Sequence, residues 1–399
     1  MRVVYFTDTR VIGGAERSLA DLAGGVLGAG HEALLLAPQR ELVEWLRQEV
    51  PGAEAERALA DSYHDAPSPA RRASALLRAL PRLALELRRH RPDVVHVNNG
   101  GFPGSDLCRI APLAAMLAGV SCRVMTVHSN PWTRERLADP QLQAAADRLV
   151  WSSLSAVVSP SRAVEEGLRA RRGMPRRLGR TIYYGVPRST CDPGAATKLR
   201  RRLAPQNQLL AGMVSARPVP EKGYDVFVEA LAEAGERVRG VLVGQAPEDL
   251  AARAHAAGVG DRLALEGPRR NVGDYHGAFD VLVVPSTAEE CMPLVILEAA
   301  SLGTPAFGSR LSGIPEAIAD GASGRLFTPG AKAELAELLR AGTHERDRIA
   351  AMGQAAARRW SEQFEIDAMV GKTLRLYGEL LPGLRARPAL EPYADAHAH

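Results

Sequence analysis

Residues 281–303 read Val-Leu-Val-Val-Pro-Ser-Thr-Ala-Glu-Glu-Cys-Met-Pro-Leu-Val-Ile-Leu-Glu-Ala-Ala-Ser-Leu-Gly. The first four residues are apolar and mostly β-branched, as a strand buried on both faces requires. The run that follows has no period, so the strand ends there. Pro293 suits the first turn of a helix, where its missing N–H goes unused. From Leu294 the apolar spacing is helical, and it stops near Gly303. The stretch is therefore strand, sharp loop, helix. Glu290 falls in the loop at the carboxyl end of the strand, and Glu298 about one turn into the helix. Both can face one crevice, into which the helix start aims free N–H groups suited to an anion. Taken alone, the pair also has an ordinary reading, as a solvated loop residue and an exposed helix residue.

Outward from this stretch the same alternation recurs, which predicts an α/β chain with parallel sheets. Strands are expected at 3–7, 32–37, 94–98, 122–128, 156–159 and 180–183. A second series is expected at 209–214, 238–243, 263–266, 281–284, 305–307 and 325–327. Helical stretches such as 15–27, 73–90 and 143–154 lie between them. A proline- and glycine-bearing stretch at 186–206 separates two doubly wound halves, whose ligands should bind at the carboxyl ends of the strands, in a cleft between two facing sheets. The expected organisation is a domain over 1–187, a second over 188–360, a helix over 361–381 and a mobile tail over 382–399. The helical pattern runs from 355 to 381, and Trp360 and Phe364 on it read as core. His397 and His399, at the end of the tail, have nothing rigid to make them metal ligands.

Composition bounds the function. The chain has 399 residues, 46% hydrophobic and 24% charged, as in globular proteins. No apolar stretch approaches membrane-span length, and the amino terminus reads as a strand. The four cysteines, Cys108, Cys122, Cys191 and Cys291, are scattered, which argues for reduced thiols and against a zinc site or disulfide framework. Charge is uneven: residues 1–190 carry 26 arginines and no lysine against 19 carboxylates, while the remainder is slightly acidic. A basic first half suits an anionic acceptor or membrane surface.

Three further features point into the same cleft, although the glycine pair alone also reads as a turn and the Arg-Lys pair alone as two solvated cations. Gly13 and Gly14, directly after the first strand, allow close approach of backbone N–H groups at a helix start. Arg217 and Lys222 bracket a proline-stiffened loop after the first strand of the second half, and pair a bidentate fork with a mobile point charge. His128 ends a strand of the first half; it either meets a sugar hydroxyl or acceptor, or is a hydrogen-bonded strand-end histidine. Carboxylates beside such an anion site point to a phosphorylated, polyhydroxylated ligand, a nucleotide sugar.

Together these residues resemble the family 4 glycosyltransferases, over roughly residues 1–381. Glu290 and Glu298 match that family's Glu-x7-Glu motif, with Ser-Gly-Ile-Pro-Glu at 312–316 downstream. Arg217 with Lys222-Gly223 is similar to its donor-phosphate pair, Gly13-Gly14-Ala15-Glu16 to its glycine loop, Arg91-Pro-Asp-Val-Val-His96 to its middle strand, and Tyr184-Gly-Val-Pro187 to its hinge. One departure is Gly244-Gln245-Ala246-Pro247, where the family often has Gly-x-Gly-Pro. The resemblance implies the GT-B fold, two Rossmann-like domains with a terminal helix crossing back to the first. It also implies retaining transfer from a nucleoside diphosphate sugar, UDP-sugars foremost, to a hydroxyl acceptor in glycan, glycolipid or natural-product biosynthesis. Arg217 and Lys222 would then stabilise the leaving diphosphate, helped by backbone N–H groups near Gly14 and in the turn Pro293-Leu294-Val295. Glu298 would accept from the ribose and Glu290 from the donor sugar, with His128 near sugar or acceptor. No metal or cofactor is expected.

The run 71–91 holds eight basic residues and one acid, Glu86, with leucines between them. It reads either as an interfacial helix on anionic lipid or as an ordinary surface helix feeding the next strand; Pro81, which should interrupt it, favours the second. The expected location is cytoplasmic, or peripheral at the inner membrane face, with no nucleic-acid partner. A GT-B sugar-nucleotide epimerase and a non-catalytic nucleotide-sugar-binding subunit stay open. A pyridoxal phosphate phosphorylase is disfavoured, because Lys198, Lys222, Lys332 and Lys372 are the only lysines.

Overall fold

The computed structural model describes residues 1–59, 69–133 and 139–381; the expected tail, with His397 and His399, lies outside them. The chain forms two compact units, one from residues up to Gly185 and from Ile366 on, the other Val186–Glu365.

The first unit holds a parallel sheet of β1 (Arg2–Thr7), β2 (Glu32–Ala37), β3 (Glu54–Arg57), β4 (Val94–Asn99), β5 (Cys122–Val127), β6 (Ala156–Ser159) and β7 (Gly179–Thr181), in the order β3-β2-β1-β4-β5-β6-β7. Val3, Val4, Tyr5 and Phe6 are all fully buried, so β1 is covered on both faces as its apolar run requires. The second unit holds β8 (Leu209–Ser215), β9 (Val238–Gly244), β10 (Leu263–Gly267), β11 (Val281–Val284), β12 (Ala306–Ser309) and β13 (Gly324–Phe327), in the order β10-β9-β8-β11-β12-β13. In each sheet the strand order reverses once, between β1 and β4 and between β8 and β11. Crossovers leave these neighbours in opposite directions, so the loops after them diverge and open a crevice at their carboxyl ends.

Three expectations change. The first concerns β3, Glu-Ala-Glu-Arg, which has no apolar run to announce it and pairs only with β2 at the sheet edge. The second concerns 355–381, which is not one helix. The helix Arg346–Arg359 runs into a π-helical turn, Trp360–Phe364, Glu365 is extended, and a new helix, Ile366–Leu380, begins. The Val186 N–H donates to the Phe364 carbonyl at 2.9 Å, which ties 361–365 to the second unit. The chain therefore changes unit at 186 and 366, where the sequence reading places the changes at 188 and 361. The third concerns Pro81, which lies inside a continuous helix, Pro69–His90. Pro81 and Leu77, whose carbonyl it leaves unpaired, are both on the exposed side, so water can take the missing hydrogen bond.

The helix Ile366–Leu380 completes the first unit's core. Met369, Val370, Leu376 and Tyr377 pack with Val3, Tyr5 and Leu19 in one buried cluster. It lies close against the helix Gly14–Gly28, where a Cβ on Gly25 would come within 2.3 Å of Val370. Among the described residues no helix is long and apolar enough to cross a membrane, and the four cysteines are free thiols.

Candidate functional site

In the second unit the site forms at the reversal between β8 and β11. The loop after β8 carries Arg217, then a short 3-10 turn, Pro220–Lys222. Gly223 has φ +76°, and a Cβ there would lie 1.9 Å from the Pro285 carbonyl, so only glycine lets this loop close onto the end of β11. The Glu221 carbonyl accepts from the Thr287 N–H at 2.8 Å across the same gap. Lys222 Nζ thus reaches Glu290 Oε1 at 2.9 Å. The buried Ser286 hydroxyl donates to the same carboxylate oxygen and fixes it. Both side chains of the pair are partly exposed, 26% for Lys222 and 18% for Glu290, so a ligand can reach them. Arg217 is exposed, while its carbonyl is held by the Ser215 hydroxyl at 3.0 Å. The Tyr224 hydroxyl lies within 3.0 Å of Ser215 Oγ and the Arg217 and Gln245 carbonyls, and so gathers the ends of β8 and β9.

The departure at Gly244-Gln245-Ala246 does not strain the backbone. Gly244, at φ +108°, makes the close approach: a Cβ there would lie 2.0 Å from the Ser215 carbonyl oxygen. Ala246 is not among the residues with positive φ, so a second glycine is not needed there.

The helix after β11 is Leu294–Ser301. Pro293 is its N-cap, at φ −65° and ψ 117°, one residue outside the first turn where the sequence reading puts it. The Leu294 and Val295 N–H groups open the helix and have no intrahelical acceptor. Glu298 follows on the next turn, 21% exposed, with Oε2 3.9 Å from Nε2 of the buried His276. Sequence reasoning missed Ser286, Tyr224 and His276. Ser286 and Tyr224 had a signal, since they lie in or directly after the strand-end loops, but His276 is a neighbour only in space.

In the first unit, Gly13 and Gly14 do start a helix, Gly14–Gly28. The Gly13 N–H, expected to face phosphate, donates instead to Glu16 Oε2 at 2.9 Å. This is a cap in which the first-turn carboxylate satisfies the chain entering the helix. Burial pushes the Glu16 carboxyl pKa up. His128 takes the hydrogen-bonded strand-end arrangement that the sequence offered as one of two readings. It is 8% exposed; Tyr184 O–H donates to Nδ1 at 2.7 Å, Nε2–H donates to Asn98 Oδ1, and the ring stacks on Tyr184. Burial drops its pKa to about 3, so it is a neutral, fully engaged histidine. Asp8, also missed, lies at the carboxyl end of β1 and accepts from Gln39 Nε2 at 2.6 Å and from the Ser105 hydroxyl.

Among the described residues one group, Glu56, Glu86 and His90, brings three potential metal-ligand atoms within 4.8 Å of one another. Its atoms are arranged as His–Glu contacts of 3.2 and 3.6 Å.

Comparison with known proteins matches this geometry to a family. Residues 12–190 match the Glycosyltransferase Family 4 model, and residues 208–342 match that of Glycosyl transferases group 1. The chain thus carries a family 4 glycosyltransferase domain followed by a glycosyl transferases group 1 domain. Among family relatives, the D-inositol 3-phosphate glycosyltransferase of Xylanimonas cellulosilytica is 32% identical over 56% of this chain and 58% of its own. A GDP-mannose-dependent alpha-(1-6)-phosphatidylinositol monomannoside mannosyltransferase of Mycobacterium tuberculosis is 31% identical over 45% of this chain and 50% of its own. The chain thus spans little more than half the length of these relatives. The crystal structure of Anabaena Alr3699/HepE in complex with UDP superposes with a TM-score of 0.79 at 22% identity, covering 95% of this chain and all of that one. Such glycosyltransferase neighbours have the GT-B fold, which is the fold of this chain.

Proposed function

We propose that this family 4 member transfers a glycosyl group from a nucleoside diphosphate sugar to a hydroxyl acceptor, with retention at the anomeric carbon. The observation that carries the reading is the Lys222–Glu290 pair, held at 2.9 Å across the strand-order reversal of the second unit. A cation and a hydroxyl-binding carboxylate side by side suit the bond between phosphate and sugar. On donor binding, Lys222 turns its remaining N–H groups to the diphosphate, joined by Arg217 and the Leu294–Val295 N–H groups. Glu290, still held by Ser286, accepts from a sugar hydroxyl, and Glu298 accepts from the ribose. As the anomeric C–O bond to phosphate breaks, negative charge grows on the diphosphate, and these preorganised donors stabilise it. The acceptor oxygen bonds to the same face, and its proton passes to the departing phosphate oxygen, so neither a covalent nucleophile nor a metal is required by this route.

UDP-sugars are the favoured donors. The GDP-mannose dependence of the mycobacterial relative makes GDP-mannose the chief competitor. The carboxyl edge of the first unit, with Asp8, Gln39 and Ser105, is assigned to the acceptor. Thermal-shift measurements with UDP-, GDP- and ADP-sugars identify the base, because a ligand that binds the native state raises Tm. Incubation with that donor should release nucleoside diphosphate slowly without acceptor, and Glu290→Gln should abolish release. Binding with no release under any condition would favour the non-catalytic subunit, and a product of inverted configuration would reject retention.

A peripheral contact with anionic lipid is the second reading. The helix Pro69–His90 exposes Arg71, Arg78, Arg82, Arg88 and Arg89 together with Leu77 (74% exposed) and Leu85 (68%). Such a face attracts anionic headgroups and can insert its leucines. Cosedimentation with anionic vesicles at physiological salt tests it, and an unbound protein rejects it.

A further inference from the structure

Four histidines are buried among the described residues, His90, His96, His128 and His276. The first three have ring nitrogens within hydrogen-bond distance of a partner. His276 is the most buried, at 1% exposure, yet neither of its ring nitrogens has a hydrogen-bond partner. Its backbone is firmly set, because the Thr304 hydroxyl donates to its carbonyl at 2.7 Å and Phe279 packs edge-on against its ring. The ring is therefore held in place with a polar edge unsatisfied, which proteins rarely tolerate without a use. That edge faces Glu298, with Nε2 3.9 Å from Oε2.

We infer that His276 is a positioning residue for Glu298: its Nε2–H takes one carboxylate oxygen when a vicinal diol occupies the other. The inference rests on the donor reading, in which that diol is the ribose of the nucleotide. The gap of 3.9 Å is about 1 Å beyond a normal hydrogen bond. A small rotation of the carboxylate closes it. Two hydroxyls on the partly exposed oxygen fix that rotation, and His276 then prevents the carboxylate from turning away.

Isothermal titration with UDP and with 2′,3′-dideoxy-UDP tests this on the full chain, using guanosine counterparts if guanine is the preferred base. His276→Phe should weaken the ribonucleotide by about tenfold, the scale of one hydrogen bond to a charged group. His276→Gln, whose amide can still donate, should recover much of that loss. Wild type and His276→Phe should bind the dideoxynucleotide alike, since no diol then engages Glu298. Unchanged ribonucleotide affinity in a folded His276→Phe protein, judged by its Tm, overturns the inference. So does an equal loss for both nucleotides, which marks a purely structural histidine. A wild type that binds no nucleotide at all would instead remove the donor reading beneath it.

Discussion

Lys222 and Glu290 show what a single contact can and cannot decide. The ammonium is partly neutralised before any ligand arrives, so in the proposed reaction its value would be the difference between facing a carboxylate and facing a diphosphate gaining charge. Replacing it by alanine should lower kcat/KM for the donor by roughly tenfold to a hundredfold, equivalent to about 1.5–3 kcal/mol of charge-assisted contact. Steady-state kinetics with donor below saturation measure this, and turnover equal to wild type would remove Lys222 from the mechanism. At this scale the sequence was legible wherever a side chain lay in a loop directly after a strand. Arg217, Lys222, Glu290 and Glu298 all lie in or just beyond such loops of the second unit. His128 satisfies the same rule, yet Tyr184 and Asn98 engage its nitrogens in this structure, and neither neighbour can be inferred from spacing. Gly13 misled for a related reason: the carboxylate that caps it stands three residues on, in plain view, but whether it folds back is decided by burial.

Elements carry the next constraints. The loop from β8 depends on Gly223, whose conformation and contact leave no room for a side chain. Gly223→Ala should cost about 1–3 kcal/mol from backbone strain alone, and should withdraw Lys222 as well. Chemical denaturation and donor KM would both move; a variant with wild-type values in both would mean the loop closes differently. In the first unit, His96 hydrogen-bonds with Tyr377 of the helix Ile366–Leu380 and, at 2.6 Å, with Thr126 of β5. Burial, reinforced by repulsion from His128 when that ring is also protonated, drops the pKa of His96 to about 3, and burial alone does the same for His128. Between the unfolded value of 6.5 and about 3, the unfolded chain holds more protons than the folded one. Stability from these two groups is therefore complete above about pH 6.5 and drains as pH falls toward 3, by several kcal/mol in total. Urea midpoints across that range should fall, less steeply in His96→Asn, and a pH-independent difference between the two proteins would contradict the assignment. Long periodic helices and apolar strands were readable at this scale. The charged edge strand β3 and the break at Glu365 were not, since edge pairing and the exchange of one packing partner for another leave no periodic trace.

The whole molecule is two units threaded by one chain that leaves the first and comes back to it. Truncation after Glu365 would remove Met369, Val370, Leu376 and Tyr377 from the first unit's core while leaving every residue of the second. Calorimetry should then show the first unit's transition lost or strongly lowered and the second unit's retained; two unaltered transitions would mean the last helix is only an ornament. The doubly wound architecture was legible because alternation of strand and helix leaves few alternatives. The places where the chain crosses were legible only to within a few residues. That threading also sets an order in time. A ribosome delivers the second unit complete at residue 365, when the first, begun hundreds of residues earlier, still lacks its closing helix. Until residues 366–380 follow, within seconds at typical elongation rates, the earlier unit waits without the helix that covers its apolar core. A nascent-chain chaperone would find its target there, on the unit whose two segments flank the other in the chain.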